Sequence, residues 1–356
     1  MSEEMPNRKN HPHIEVNKLD EKKKKSLLNR VIVALILLAL AVPCLVLGGW
    51  FWFVFITVFL AFACYEIMKA PQKKYRWYIW VFTFLLVFVY VYWFLVKFNA
   101  REYIQYLVNR KTDMNAAFHF ELEKYFSYLD ISIYSLAASF GIYSLCAVLH
   151  DDFDWHDVVY FFSMTFMVGL GFQALMFLRY YPFSLDWTGV CDSSSNLFRY
   201  WGSTTFLIYI VAATFLNDIF AYFVGMLFGK RHINPRISPN KTWEGFIGGI
   251  VLSAGASFGI AALLEGCGFP ILPHLSIFTN SQAWWQLLLM SIALPLVGNL
   301  GDFTFSMIKR FYGFKDYSHL LGAHGGVLDR VDSLLFSSVA ASVFVVFSEI
   351  GWNIFQ

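Results

Sequence analysis

Between Gly301 and Asp332 the chain gathers acids, cations and hydroxyls into one short stretch: Asp302, Ser306, Lys309, Arg310, Lys315, Asp316, His324, Asp329, Arg330 and Asp332. If 301–310 is helical, Asp302, Ser306 and Lys309 fall at i, i+4 and i+7, on one face. Asp329 and Asp332, at i and i+3, share a face in the same way. Asp302, Asp329 and Asp332 could therefore converge on a divalent metal. Magnesium takes oxygen ligands and keeps waters and substrate phosphate oxygens, so two or three carboxylates suit it. Lys309, Arg310, Lys315 and Arg330 are spaced among the acids, a pattern that suits a metal–phosphate complex better than a bare anion. His324-Gly325-Gly326 offers backbone donors with little bulk, as a loop approaching phosphate needs. The competing reading is a solvated loop with surface ion pairs, which such pairs barely stabilise.

A second constellation runs from Asn217 to Gly249. Asp218, Tyr222, Gly225 and Gly229 form an i, i+4, i+7, i+11 stripe. Gly225 and Gly229 read best as close helix packing of the small-xxx-small kind. Asp218 lies within an apolar run, and a carboxylate there is a functional candidate by default. Ser238-Pro239-Asn240-Lys241-Thr242 resembles a phosphate-binding turn feeding a helix N-terminus, where free amides and the helix dipole favour anions.

The elements that must carry these residues are membrane spans. The 356 residues are 58% hydrophobic and only 15% charged, whereas soluble domains are roughly a quarter charged. Apolar runs near the roughly 20 residues needed to cross a bilayer recur along the chain. The expected fold is all-α and polytopic, with nine spans near 30–48, 50–68, 77–98, 131–149, 157–178, 201–227, 245–264, 284–300 and 333–354. Residues 1–29 read as a disordered polybasic cytosolic tail, 30–200 as a five-span N-terminal region with an outside insertion near 99–130, and 201–356 as a four-span catalytic region. With the N-terminus in the cytosol, the tail and segments 69–76, 150–156, 228–244 and 301–332 lie inside. Counting Arg30 with the tail, they hold 20 of the 27 Lys and Arg, against 7 outside; this follows the positive-inside rule. Both motif segments thus face the cytosol together. Cys44, Cys64 and Cys146 read as small buried hydrophobes. Cys191 and Cys267 fall in loops on one side, where a disulfide could form.

The run Ser306-x-Ile308-Lys309-Arg310-xxxx-Lys315-Asp316-x-Ser318-xx-Leu321-Gly322-x-His324-Gly325-Gly326-Val327-x-Asp329-Arg330-Val331-Asp332 resembles the signature of the phosphatidate cytidylyltransferases, or CDP-diacylglycerol synthases. Asn217-Asp218-xx-Ala221-Tyr222-xx-Gly225 and Ser238-Pro239-x-Lys241-Thr242-Trp243-Glu244-Gly245 resemble that family's upstream region. One departure is Ala323 before His324, where the family usually has glycine after proline. The resemblance is strong over about 200–356. It implies attack of phosphatidate on the α-phosphorus of CTP, giving CDP-diacylglycerol and pyrophosphate with magnesium as cofactor. A phosphate monoester is already ionised, so catalysis would rest on positioning and charge neutralisation.

On that resemblance Asp302 and Asp329 ligate magnesium, with Asp332 completing the site and a second metal ion left open. Lys309, Arg310 and Arg330 neutralise phosphates, and Asp218, Ser238 and Lys241 hold the nucleotide, with Lys315, Gly325 and Gly326 as further substrate contacts. His324 either meets a phosphate, protonates the leaving pyrophosphate, or holds the loop. The expected partners are CTP, phosphatidate and membrane lipid, with a homodimer open and no nucleic acid. The membrane is the bacterial plasma membrane, or the endoplasmic reticulum for a eukaryotic chain. Two rival readings stand: a CTP-dependent polyprenol-type lipid kinase, and a transporter. A transporter would more naturally carry its charges near the midplane of interrupted helices.

Overall fold

The structure is a computed structural model that describes residues 39–92, 131–184, 196–267, 284–322 and 325–349, with isolated positions at 32–33, 36–37 and 271. The polybasic tail, the 99–130 insertion, Cys191 and His324 lie outside the described residues. In chain order we label the elements α1 (Gly49–Lys69), α2 (Trp77–Tyr92), α3 (Ile131–Leu149), α4 (Trp155–Ser184), α5 (Asn196–Phe228), β1 (His232–Asn234), β2 (Ser238–Thr242), α6 (Trp243–Gly266), α7 (Trp284–Phe311) and α8 (Leu328–Glu349). Among the described residues, five helices, α1, α4, α5, α6 and α7, are long and apolar enough to cross a membrane, and α2 and most of α3 form shorter apolar helices. The architecture is all-α apart from the small antiparallel β1–β2 ribbon.

Large apolar side chains stay exposed along these helices, including Trp50, Phe51, Val54, Phe223, Met226, Ile247 and Val251. Such surface is unfavourable in water and at home in hydrocarbon. The chain is an integral membrane protein, and its outward faces are built for lipid.

Inside the bundle, small residues decide how near the helices come. A Cβ on Gly245 would lie 2.8 Å from the Ala221 carbonyl, and one on Gly249 2.8 Å from the Ala221 Cβ. α5 and α6 therefore cross with their backbones close, and Gly225 and Gly229 face Thr242 at the same crossing. Of the two glycines expected to pack helices closely, Gly225 does so against Gly245, whereas Gly229 lies beyond the end of α5. On the other side, a Cβ on Gly301 would lie 2.7 Å from the Asp332 carbonyl, and one on Gly298 2.6 Å from the Ser337 hydroxyl. This contact of α7 with α8 brings the neighbouring Asp302 and Asp332 to one place.

The two ends of the N-terminal half are tied by polar groups. Gly48 turns at φ 59°, a conformation that favours glycine. The buried Arg179 guanidinium occupies the space a Cβ would need there and donates to the Leu45 carbonyl at 2.9 Å. At the opposite end, Asp154 and Asp157 cap α4 reciprocally: the Asp157 amide donates to Asp154 and the Asp154 amide to Asp157, both at 3.1 Å. This is a capping box. Lys73 pairs with both carboxylates at 3.0 and 2.8 Å, and the Tyr75 hydroxyl donates to Asp157 at 2.8 Å.

The segments expected on one side do meet. Lys73 reaches Asp154 and Asp157, Gln72 donates to the Tyr312 carbonyl, and Arg310 donates to the Ile237 carbonyl. Segments 69–76, 150–156, 228–244 and 301–332 thus share one face of the molecule.

Candidate active site

At that face four acids and two lysines come together from α5, the ribbon, α7 and α8. Lys241, at the end of β2, forms an ion pair with Asp302. Its ammonium also lies 4.4 Å from the centre of the Phe303 ring, a cation–π contact. The Ser306 hydroxyl donates to the other Asp302 oxygen at 3.2 Å, as the one-face spacing requires. One turn further along α7, the buried Lys309 donates to Asp329 at 2.7 Å. The second Asp329 oxygen accepts from the amides of Tyr317 and Gly326 at 2.8 and 2.9 Å. Asp329 is therefore saturated by the protein, whereas Asp302 holds one lysine and one hydroxyl.

Asp332 is buried, accepts from the Ser333 amide at 2.8 Å, and lies within electrostatic range of Asp302, Asp329 and Lys309. Asp218 is exposed, lies within range of Asp302 and Lys241, and is touched by the Asn217 amide at 3.5 Å. Asn217 is fixed in turn by Asn299 of α7 at 3.3 Å. Neither Asp218 nor Asp332 forms an ion pair of its own among the described residues.

Among the described residues no three His, Cys, Asp or Glu side chains stand in mutual coordinating positions. The ammonium groups of Lys241 and Lys309 fill places between the carboxylates. The donor set nevertheless suits magnesium. Four carboxylates against two ammoniums leave an excess of negative charge, all donors are hard oxygens, and magnesium needs only one or two protein carboxylates when substrate phosphates supply the rest. Asp302, held by one lysine and one hydroxyl, and Asp332, with no ion pair among the described residues, are less committed to protein partners than Asp329.

Several expected residues take different positions. Ser238–Thr242 forms a strand, not a turn. The helix it feeds is capped by its own Thr242, whose hydroxyl accepts from the Gly245 amide at 3.2 Å. Thr242 thus closes part of that N-terminus, and Lys241, expected to hold the nucleotide, is paired with Asp302. Arg310 is exposed and donates to the carbonyls of Ile237 and Phe314 at 3.3 and 3.0 Å, so it anchors the ribbon to α7. Lys315 and Arg330 are exposed beside the cluster. Gly325 turns at φ 80°, and the Gly326 amide is already taken by Asp329.

Two buried groups escape the sequence reading. Asn299 is one. The other is Glu66, in the last turn of α1, which is wholly buried. It accepts from the Ser318 hydroxyl at 2.5 Å and from the amides of Val327 and Leu328, both at 2.8 Å. An acid in an apolar run was the available signal, the same one that singles out Asp218. Tyr317, packed on Phe305 and Phe314, completes the loop; burial and the Asp329 carboxylate hold its phenol well above the ordinary range, so it stays neutral.

Residues 28–348 match the model of the cytidylyltransferase family, and the chain belongs to that family. It is 41% identical over 141 residues to the phosphatidate cytidylyltransferase of Bacillus subtilis (strain 168), covering 40% of this chain and 46% of that protein. The similarity to the phosphatidate cytidylyltransferase of Staphylococcus saprophyticus is 31% over 209 residues, 58% of this chain and 66% of that one. For the Mycobacterium leprae (strain TN) protein of the same name it is 39% over 132 residues, 37% of this chain and 38% of that one. The matches thus span 38% to 66% of these relatives' own length.

Proposed function

We propose that the protein is a cytidylyl transferase that joins CTP to phosphatidate at the cytosolic face of a bacterial plasma membrane. The phosphatidate phosphate oxygen attacks the α-phosphorus of CTP, the bond to the β-phosphate breaks, and pyrophosphate leaves as CDP-diacylglycerol forms. The observation that carries this reading is the juxtaposition of Lys241–Asp302, Lys309–Asp329, Asp332 and Asp218 at the common face of the bundle. Such a site has cations and carboxylates for a metal–triphosphate and sits where a lipid headgroup would lie. The family, and relatives named for this activity, support the same assignment.

Asp302 and Asp332 would hold magnesium. When bound, it would supply charge neutralisation to the transferred phosphate and the leaving pyrophosphate. Lys241 is placed to leave Asp302 for the triphosphate, Lys309 and Arg330 neutralise phosphate oxygens, and Asp218 receives the nucleotide. Asp329 orients Lys309 and fixes the loop. No general base is needed because the attacking phosphate is ionised at neutral pH.

The test uses purified full-length protein in detergent with phosphatidate, magnesium and CTP labelled at either the α- or the γ-phosphate. Label from the α-position in the lipid, with release of pyrophosphate, is the expected result. Label from the γ-position would instead identify a lipid kinase.

A further inference from the structure

The signature segment 316–329 is gripped from two sides by carboxylates. Asp329 holds it from within through the amides of Tyr317 and Gly326. Glu66 holds it from without, from a helix more than 250 residues away in sequence, through Ser318, Val327 and Leu328. Val327 and Leu328 open α8, so Glu66 satisfies two of the amides that a helix start leaves free and sets its charge against the positive end of the helix. The approach requires glycine at 326: a Cβ there would lie 2.6 Å from the Glu66 Oε1 and 2.8 Å from its Cδ. A wholly buried carboxylate with three donors and, among the described residues, no ion pair to a lysine or arginine is costly to place. Its bonds all go to the two edges of the loop that carries Asp329, and one turn beyond lies Asp332.

We propose that Glu66 is a positioning residue for this site: it clamps the start of α8 and thereby fixes Asp329 and Asp332 against Asp302 and Lys309. Its consequence for catalysis rests on the cytidylyl transfer proposed above; the clamp itself does not. The N-terminal helices are then part of the active unit. The C-terminal region 201–356, read from the sequence as the four-span catalytic region, lacks the group that sets the position of its own carboxylates.

Glu66→Gln preserves volume but replaces one acceptor with a donor facing donors. In the full chain it should lower kcat by about 10- to 100-fold, the cost typical of partners that orient a ligand shell, while the KM for CTP changes by less than about twofold. Ser318→Ala, which removes one of the three bonds to Glu66 together with the bond the Ser318 hydroxyl accepts from the Leu320 amide at 3.2 Å, should lower kcat less and in the same pattern. A nitroxide at Leu320→Cys, in a background without native cysteines, should gain mobility in both variants. This spectroscopic arm reads the clamp without any reaction. If wild-type protein is inert toward CTP and phosphatidate, the proposed function fails while the nitroxide still decides the clamp. Unchanged mobility in Glu66→Gln and Ser318→Ala overturns the proposal, as does unchanged kcat in both variants of an active enzyme. If Glu66→Gln does not fold, Ser318→Ala carries both readouts, and its unchanged values overturn the proposal alone.

Discussion

Asp302 and Asp329 each hold a lysine, yet the two carboxylates are committed to different degrees. Asp302 can exchange Lys241 for another cation at the cost of one partly exposed ion pair, and such pairs are worth about 0 to 1 kcal/mol. Asp329 would have to surrender a buried lysine and two backbone amides; breaking a buried pair costs about 3 to 5 kcal/mol. The two positions should therefore respond differently to removal of charge. Asp302→Asn is expected to abolish turnover or shift the magnesium dependence of the rate to much higher concentration. Asp329→Asn is expected to lower both turnover and thermal stability, with the magnesium half-saturation little changed. Magnesium titrations of the two purified variants, each with a melting curve, check this; identical behaviour would mean that both residues ligate or that neither does.

At the scale of elements, the site exists because α7 and α8 can touch at Gly301. Gly301→Ala places a methyl against the Asp332 carbonyl and the Phe336 ring, at 2.7 and 2.9 Å. Backbone cannot yield as a flexible side chain does, and overpacking of this kind costs about 1 to 3 kcal/mol. Melting in detergent should show that loss together with reduced activity. The control is Gly255→Ala in α6, where nothing lies within 4 Å of the added methyl and the change should be neutral or stabilising by up to about 1 kcal/mol. The start of α4 offers a second expectation. The Lys73 ammonium beside Asp154 holds that carboxyl below the usual carboxylate range. Its contribution is complete above the ordinary value near 3.8 and is lost as pH falls through the lower folded value. Asp154→Ala should therefore cost about 1 kcal/mol at neutral pH, as loss of a helix cap does, and the difference from wild type should shrink in strong acid. Melting curves at both pH values measure it; a difference that grows on acidification would reverse the sign of the argument.

For the whole molecule the decisive property is that segments 69–76, 150–156, 228–244 and 301–332 share a face, while the apolar flanks of the helices look outward. Cysteines placed at Arg236 and Lys315, both exposed, should be blocked by the same membrane-impermeant thiol reagent from the same side. We expect labelling in inverted vesicles and none in intact cells, with native cysteines removed. A cysteine at Tyr317, which is buried in the same loop, should stay unlabelled from either side. Labelling of Arg236→Cys and Lys315→Cys from opposite sides would contradict the shared face; labelling of both from outside would invert the orientation.

The chemistry-bearing residues were legible because their order is local. Asp302, Ser306 and Lys309 share a helical face by spacing alone, Asp329 and Asp332 do likewise, and long apolar runs dictate spans whatever their packing. That the loops at 69–76, 150–156, 228–244 and 301–332 gather on one face was legible too, since each crossing reverses direction. Pairings between distant elements carried no such local mark. That Lys241 meets Asp302, that Ser238–Thr242 extends as a strand against β1, and that Asn299 fixes Asn217 depend on how close α5, α6, α7 and α8 come, which the contacts of Gly245, Gly249, Gly298 and Gly301 decide. Glu66 is the extreme case: its type and place mark it as an acid in an apolar helix, but only the folded bundle supplies Ser318, Val327 and Leu328 as its partners, because hydrogen bonds between segments so far apart in sequence are set by packing and leave no period in the chain.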